Sequence, residues 1–153
     1  GRQLEHHCIS VEFHLDTGLY VLADANRLEQ VFLNIISNAR DALDEQEKTV
    51  EQFRQMTNPP DWVRNWEKKI IIRSYQKANR VIVDIEDNAG GIPHHILDKI
   101  FEPFFTTKEV GKGTGLGLYI SYGIIHDLGG EIQVNTTPGV GSIFSVILPV
   151  AAN

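Results

Sequence analysis

Apolar and polar residues alternate at the start of the chain. Ile9, Val11, Phe13 and Leu15 recur at every second position, which predicts a half-buried strand. Asp16-Thr17-Gly18 turns the chain, and residues 19–23 read as a second short strand. The period then lengthens. Leu28, Val31, Phe32, Ile35, Ala39 and Ala42 are spaced by three and four, so a helix with one core-facing stripe is expected over about 25–44, capped by Asp24. Residues 45–67 break this pattern: they are polar, interrupted by Pro59-Pro60, and read as an insertion pinned to the body by Trp62 and Trp66.

"KIIIRSYQ" and "RVIVDIED" form a predicted hairpin across Lys77-Ala78-Asn79. Pro93 opens a short helix that ends at Ile100, and residues 101–114 read as a loop. A second long helix is expected over about 116–128, stopped by Gly129-Gly130. Strands near 131–136 and 142–148 flank the turn Thr137-Pro138-Gly139. Antiparallel runs with helices grouped between them place residues 1–153 in the α+β class, as one domain. The expected architecture is a two-layer α/β sandwich, a mixed, mainly antiparallel sheet packed against helices.

Charge narrows the partners. Twenty acidic against fourteen basic residues leave a net charge of −6, and no dense Lys/Arg run offsets it, so a nucleic-acid surface is not expected. A bound polyanion must then be held by backbone dipoles and a few placed cations. Cys8 is the sole cysteine, which excludes an intramolecular disulfide and suits a reducing compartment. His6, His7 and His14 surround it without CxxC or HxxxH spacing, so it reads as a packed or exposed thiol rather than a metal ligand. No stretch approaches the ~18 apolar residues of a membrane span, and GRQLEHHC lacks the apolar segment of a signal peptide. The expectation is a cytoplasmic domain, with any membrane anchor of a longer protein supplied by other segments.

Three stretches carry candidate chemistry. Asn34, Asn38 and Asp41 fall at i, i+4 and i+7 on one face of the first helix, extended by Arg27 and Gln30. Spacing alone favours a solvated face. Two amides one turn apart, however, offer neutral oxygens suited to a Mg²⁺ that keeps waters and takes phosphate oxygens. Asp87 ends an apolar strand beside "NAGGI". There it is either a turn residue or an acceptor for an exocyclic amine approaching past small residues. In "GKGTGLGL" (111–118) the glycines leave N–H groups free, and the following helix start adds partial positive charge, which makes a phosphate cradle or else a hinge. Gly113 follows Lys112 and Thr106 stands where a Walker loop needs glycine, so it is not that loop; nor does the G-x-G-x-x-G spacing fit.

In order, "NIISNARDA" (34–42), "DNAGGI" (87–92), "FEPFFTTK" (101–108) and "GKGTGLGL" resemble the N, first glycine, F and second glycine boxes of the ATP-binding catalytic domain of sensor histidine kinases, in the GHKL ATPase superfamily. The resemblance runs from about Ile9 to Pro149, apart from 45–67. It implies ATP and Mg²⁺ as cofactors and a mobile ATP lid over about 94–114. Asn38 is implied to bind the Mg²⁺ with Asn34 supporting it, Asp87 to hold the adenine amino group, and Gly91 to make room for the base. Gly113, Thr114, Gly115, Leu116 and Gly117 would face the phosphates, Lys108 would reach them, and Ser142 would stand near the adenine. Phe101, Phe104 and Phe105 are implied to anchor the lid.

The chain departs from the pattern in three places. Ala89 replaces a glycine, and "HDLGG" replaces the common "HGG", so His126 reads as a surface or packing residue. Asp41 stands where several such kinases carry a phosphate-touching Lys, leaving Arg40 or Lys108 as substitutes. None of His6, His7, His14, His94, His95 and His126 sits in an acceptor motif of the H-E-x-R-x-P kind. The implied partners are therefore the protein's own helical dimerisation and phosphoacceptor domain, outside this chain, and a downstream response regulator. The full protein is expected to be a homodimer and the isolated domain a monomer. Two alternatives remain open. One is a GHKL-type ATP hydrolase, although such relatives place a glutamate base where Asn34 stands. The other is a nucleotide-sensing scaffold without transfer activity.

Overall fold

A computed structural model describes residues 8–107 and 115–151. Among the described residues, five strands form one open mixed sheet: β1 (Ser10–Leu15), β2 (Lys69–Lys77), β3 (Arg80–Asp87), β4 (Glu131–Thr137) and β5 (Gly141–Pro149), in the order β1-β2-β3-β5-β4. Only β1 runs parallel to its neighbour, pairing Phe13 with Ile72; the other three pairings are antiparallel. One face of the sheet carries two helices, α1 (Ala25–Arg54) and, after a short helix α2 (Asp61–Arg64), α3 (Gly117–Asp127). The α+β expectation holds.

The core lies between these layers. Val31, Ile35 and Leu43 of α1 and Ile124 and Ile125 of α3 meet Ile70, Ile85, Phe144 and Val146 from the sheet. Each such side chain contributes roughly 1.5–3 kcal/mol by leaving water. Asp24 caps α1, its Oδ1 accepting from the N–H groups of Asn26 (2.9 Å) and Arg27 (3.4 Å).

Two expectations are corrected. The first helix continues ten residues past Asp44, to Arg54. Its buried stripe extends through Leu43 and Val50, and contacts distant in sequence hold the added turns. Lys68, only 5% exposed, pairs with Asp44 (2.8 Å) and Glu47 (3.0 Å), while Arg54 donates to the carbonyls of Val63 (2.8 Å) and Trp66 (2.9 Å). The 45–67 stretch is thus the end of α1, a break at the double proline, and α2. Residues 19–23 are not a strand; the carbonyl of Tyr20 accepts from Ala151 N–H, but no ladder forms there. Trp66 packs against the core, whereas Trp62 is half exposed and meets Phe53 edge-on at 6.0 Å. The short helix after Pro93 is a 3-10 helix, His94–Lys99. Among the described residues, no helix is long and apolar enough to cross a membrane.

Candidate functional site

The period of two that builds the sheet also buries its polar ends. Along β3 the inward row Val81, Val83, Ile85 ends in Asp87; along β5 the row Leu148, Val146, Phe144 ends in Ser142. Antiparallel register sets these two polar residues opposite each other. Both face a cavity of about 370 Å³ enclosed by α1, the start of α3 and the loops after β3 and before α3.

Asp87 is 6% exposed. Burial pushes its carboxyl up to about 6, against the opposing pull of backbone N–H groups of Ala89 and Ser142, while the Glu86 charge adds to the rise. The Ala89 N–H bond measures 3.0 Å. Behind it, residues 88–92 are stitched to the β4–β5 turn: Ile92 N–H donates to Thr136 Oγ1 (2.7 Å), Gly139 N–H to the Gly90 carbonyl (2.8 Å), and Thr136 Oγ1 shares a hydrogen bond with Ser142 Oγ (3.0 Å). Gly91 has φ +80°, and a Cβ there would stand 2.7 Å from the Thr137 carbonyl oxygen. A side chain is excluded at that position on two counts.

From α1, Asn34, Asn38 and Asp41 line the same cavity, one flank over from the buried stripe Val31, Ile35, Ala39. The Asn34 amide nitrogen donates to the Gly117 carbonyl and to Ser121 Oγ, both at 3.1 Å, joining α1 to the first turn of α3. Gly115 and Gly117 reach the cavity from the other side; Leu116, between them at the N-terminal boundary of α3, makes no side-chain capping bond there and is not among the described residues that line the cavity. Gly115 (φ +70°) locks onto Phe104 (φ +67°), whose N–H donates to the Gly115 carbonyl at 2.8 Å. Phe101 and Phe105 pack on the core, with Phe101 against Tyr122 at 5.5 Å. The Phe104 ring is 72% exposed, so its backbone rather than its ring makes the attachment. Lys108, Gly113 and Thr114 lie outside the described residues.

Eight sequence-assigned residues therefore converge on one cavity: Asn34, Asn38, Asp41, Asp87, Gly91, Gly115, Gly117 and Ser142. Sequence reasoning missed Glu45, which lines it one turn beyond Asp41 and would have been found had the helix been extended. It also missed Thr136, Ser142's register partner in the last hairpin. Among the described lining residues there are three carboxylates, Asp41, Glu45 and Asp87, and no Lys or Arg. Arg40 turns along the helix toward Ser37 (3.4 Å) and Asp41 (3.7 Å). His126 is exposed and stacks on Tyr122. Cys8 is exposed, and among the described residues no group of three or more His, Cys, Asp or Glu side chains is placed to hold a metal.

Residues 23–152 match the family described as "Histidine kinase-, DNA gyrase B-, and HSP90-like ATPase". The chain is 43% identical over 129 residues to the sensor kinase CckA of Brucella abortus, which covers 84% of this chain and 13% of that protein. It is 40% identical over 157 residues to the two-component sensor PprA of Pseudomonas aeruginosa, covering 99% of this chain and 15% of that one. The chain thus spans about a seventh of these relatives' length. The nucleotide-free catalytic domain of the histidine kinase ThkA superposes with a TM-score of 0.72 at 32% identity, over 97% of this chain and 84% of that one. A cavity built where the inward rows of β3 and β5 turn polar, on a fold and sequence shared with these domains, leads to one assignment: the chain belongs to the GHKL ATPase superfamily, among the ATP-binding catalytic domains of sensor histidine kinases.

Proposed function

We propose that this domain binds MgATP in the cavity and, within its complete protein, transfers the γ-phosphoryl group to a histidine on a separate helical dimerisation domain. The observation that carries the reading is that Asp87, buried at the end of β3, and Asn38, from α1, line one cavity. Asp87 accepts a hydrogen bond from the adenine amino group, Gly91 leaves room for the ring, and Ser142 borders it. The N-terminus of α3 and Gly115 before it offer N–H groups to phosphate oxygens, and the resemblance assigns phosphate contacts to Lys108, Gly113 and Thr114 as well.

The donor set fits a hard cation. Asn38 lines the cavity beside Asn34, whose nitrogen is committed to Gly117 and Ser121, which leaves its oxygen as the accepting end. Mg²⁺ held by Asn38 would neutralise phosphate charge, which the acidic lining cannot do. The chain's own contribution is positioning and charge placement, the main requirement of phosphoryl transfer through a loose transition state. Hydrolysis is the weaker reading. Asn34 is no proton acceptor at neutral pH, and it is tied to a carbonyl that would repel a glutamate in its place.

The partners that follow are the helical dimerisation domain bearing the acceptor histidine and a response regulator. The full protein is read as a homodimer with this domain in the cytoplasm. The test is to mix the domain with the helical domain and γ-labelled ATP. Label should appear on one histidine of the helical domain, as acid-labile, base-stable phosphate, and none should appear on this chain. Label on His126 or another residue of this chain would overturn the assignment.

A further inference from the structure

Resting on that reading of the cavity, we infer that the 45–67 stretch is a positioning element for the base-binding loop, and that Trp66 is the residue through which it acts. Trp66 Nε1–H donates to the Asn88 carbonyl at 3.0 Å. Asn88 immediately follows Asp87, and the end of this stretch and the start of β2 bind both its main-chain and its side-chain groups. Its Oδ1 accepts from Lys69 N–H (2.9 Å), its Nδ2 donates to the Glu67 carbonyl (2.8 Å), and its backbone N–H donates to the Lys69 carbonyl (3.3 Å). From the added turns of α1, Gln46 packs onto the same loop: its Oε1 lies 2.9 Å from where a Cβ on Gly90 would stand.

The clamp is anchored at its far end. Arg54 donates to the carbonyls of Val63 (2.8 Å) and Trp66 (2.9 Å) and pairs with Glu51 (2.6 Å), so the last turn of α1 sets the height of Trp66. The bonds run continuously from Arg54 through Trp66 to Asn88. Neither Trp66, Asn88 nor Gln46 is among the described residues that line the cavity. Any effect on a ligand must therefore pass through Asp87 and Gly91, which bracket the clamped residues. Asp87 is sensitive to such a shift because its carboxylate accepts from Ala89 within the loop. Recognition by a buried carboxylate also depends on tight placement.

Trp66→Phe keeps an aromatic ring in the packing while removing the N–H donor and part of the indole's bulk against the core. Three measurements distinguish positioning from simple structural support: amide exchange at residues 88–91 without nucleotide, the ratio of ATP to GTP affinity, and the melting temperature. Exchange should quicken at 88–91, and ATP affinity should fall about two- to tenfold, the size of one net hydrogen bond. GTP affinity should stay nearly constant, while the melting temperature falls by a few degrees, about what one lost internal hydrogen bond takes from a domain of this size. Arg54→Met, at the other end of the clamp, should move exchange and the ratio in the same direction. An unchanged ratio, with or without faster exchange, overturns the proposal. So does a uniform loss of ATP affinity, GTP affinity and melting temperature, which would mark Trp66 as support for the fold only. A wild-type domain that binds no adenine nucleotide overturns the reading of the cavity itself, and that result is seen before any variant is compared.

Discussion

The side-chain amide of Asn34 donates to the carbonyl of Gly117, 83 residues away, and ties the polar flank of α1 to the end of the glycine-rich stretch. The same nitrogen reaches Ser121 Oγ, which itself donates to the Gly117 carbonyl at 2.8 Å. A residue whose spacing suggested a solvated face is thus the joint between the two helices that frame the cavity.

Asn34→Glu should therefore damage the joint without creating a hydrolase. The carboxylate loses both donor bonds and faces a carbonyl oxygen, at a cost of about 1–3 kcal/mol. Chemical denaturation should read that loss, and phosphate release from ATP should stay at its starting level. A rise in phosphate release would restore the hydrolytic reading.

Asp87→Asn should separate stability from recognition. The folded carboxyl titrates near 6 instead of the ordinary 3.8, so between those values the folded state holds more protons than the unfolded one. Stability of the nucleotide-free protein therefore falls as pH rises from about 4 to 6, and ionised Asp87 weakens it at neutral pH. The amide variant should lose that slope and be about 1–3 kcal/mol more stable at pH 7, an order-of-magnitude figure from the shift. Its ATP affinity should collapse. If Asp87 holds the adenine amino group as proposed, binding favours its carboxylate in the wild type, and affinity should decline as pH falls below about 6. Calorimetry and denaturation across pH check both halves.

Charge in the cavity gives a third test. With Asp41 and Glu45 among its walls and no described cation, ATP binding should depend strongly on Mg²⁺. Asp41→Lys should raise ATP affinity roughly tenfold, as expected for a hydrogen bond to a charged group, and should lessen the loss caused by EDTA. Titrations with and without chelator measure both effects. Unchanged binding in EDTA for the wild type would remove the metal from the site.

Gly115→Ala tests the attachment of the glycine stretch. At φ +70° any L side chain is strained, and here the new Cβ would run into the Phe104 backbone. The variant should lose the Phe104–Gly115 hydrogen bond, speed amide exchange over residues 101–107, and weaken ATP by severalfold. Stability should drop by more than about 1 kcal/mol. Binding and exchange equal to the wild type would mean that this contact does not fix Gly115 beside the cavity.

Contiguous patterns determined much of this protein. The strand-like runs of β2 and β3, the strands of the last hairpin, the Asp24 cap, the limits of α3 within a residue and the four motif stretches were all legible in the sequence, because each depends on neighbours a few positions apart. The alternation at Val11, Phe13 and Leu15 also marks a strand, but it leaves Phe13 and Leu15 more than half exposed. Tertiary structure alone decided the rest. Residues 45–54 continue the helical stripe from Leu43 to Val50, but the contacts that hold those turns, from Lys68, Val63 and Trp66 to Asp44, Glu47 and Arg54, come from segments distant in sequence. Residues 19–23 look like a strand but find no ladder, since a strand needs a partner as well as a propensity. Phe104, aromatic and next to two anchoring phenylalanines, points its ring to solvent because its backbone is committed to Gly115. The clamp from Arg54 to Asn88 was invisible for the same reason: hydrogen bonds between distant segments follow from where the sheet and helices bring them, not from the order of residues along the chain.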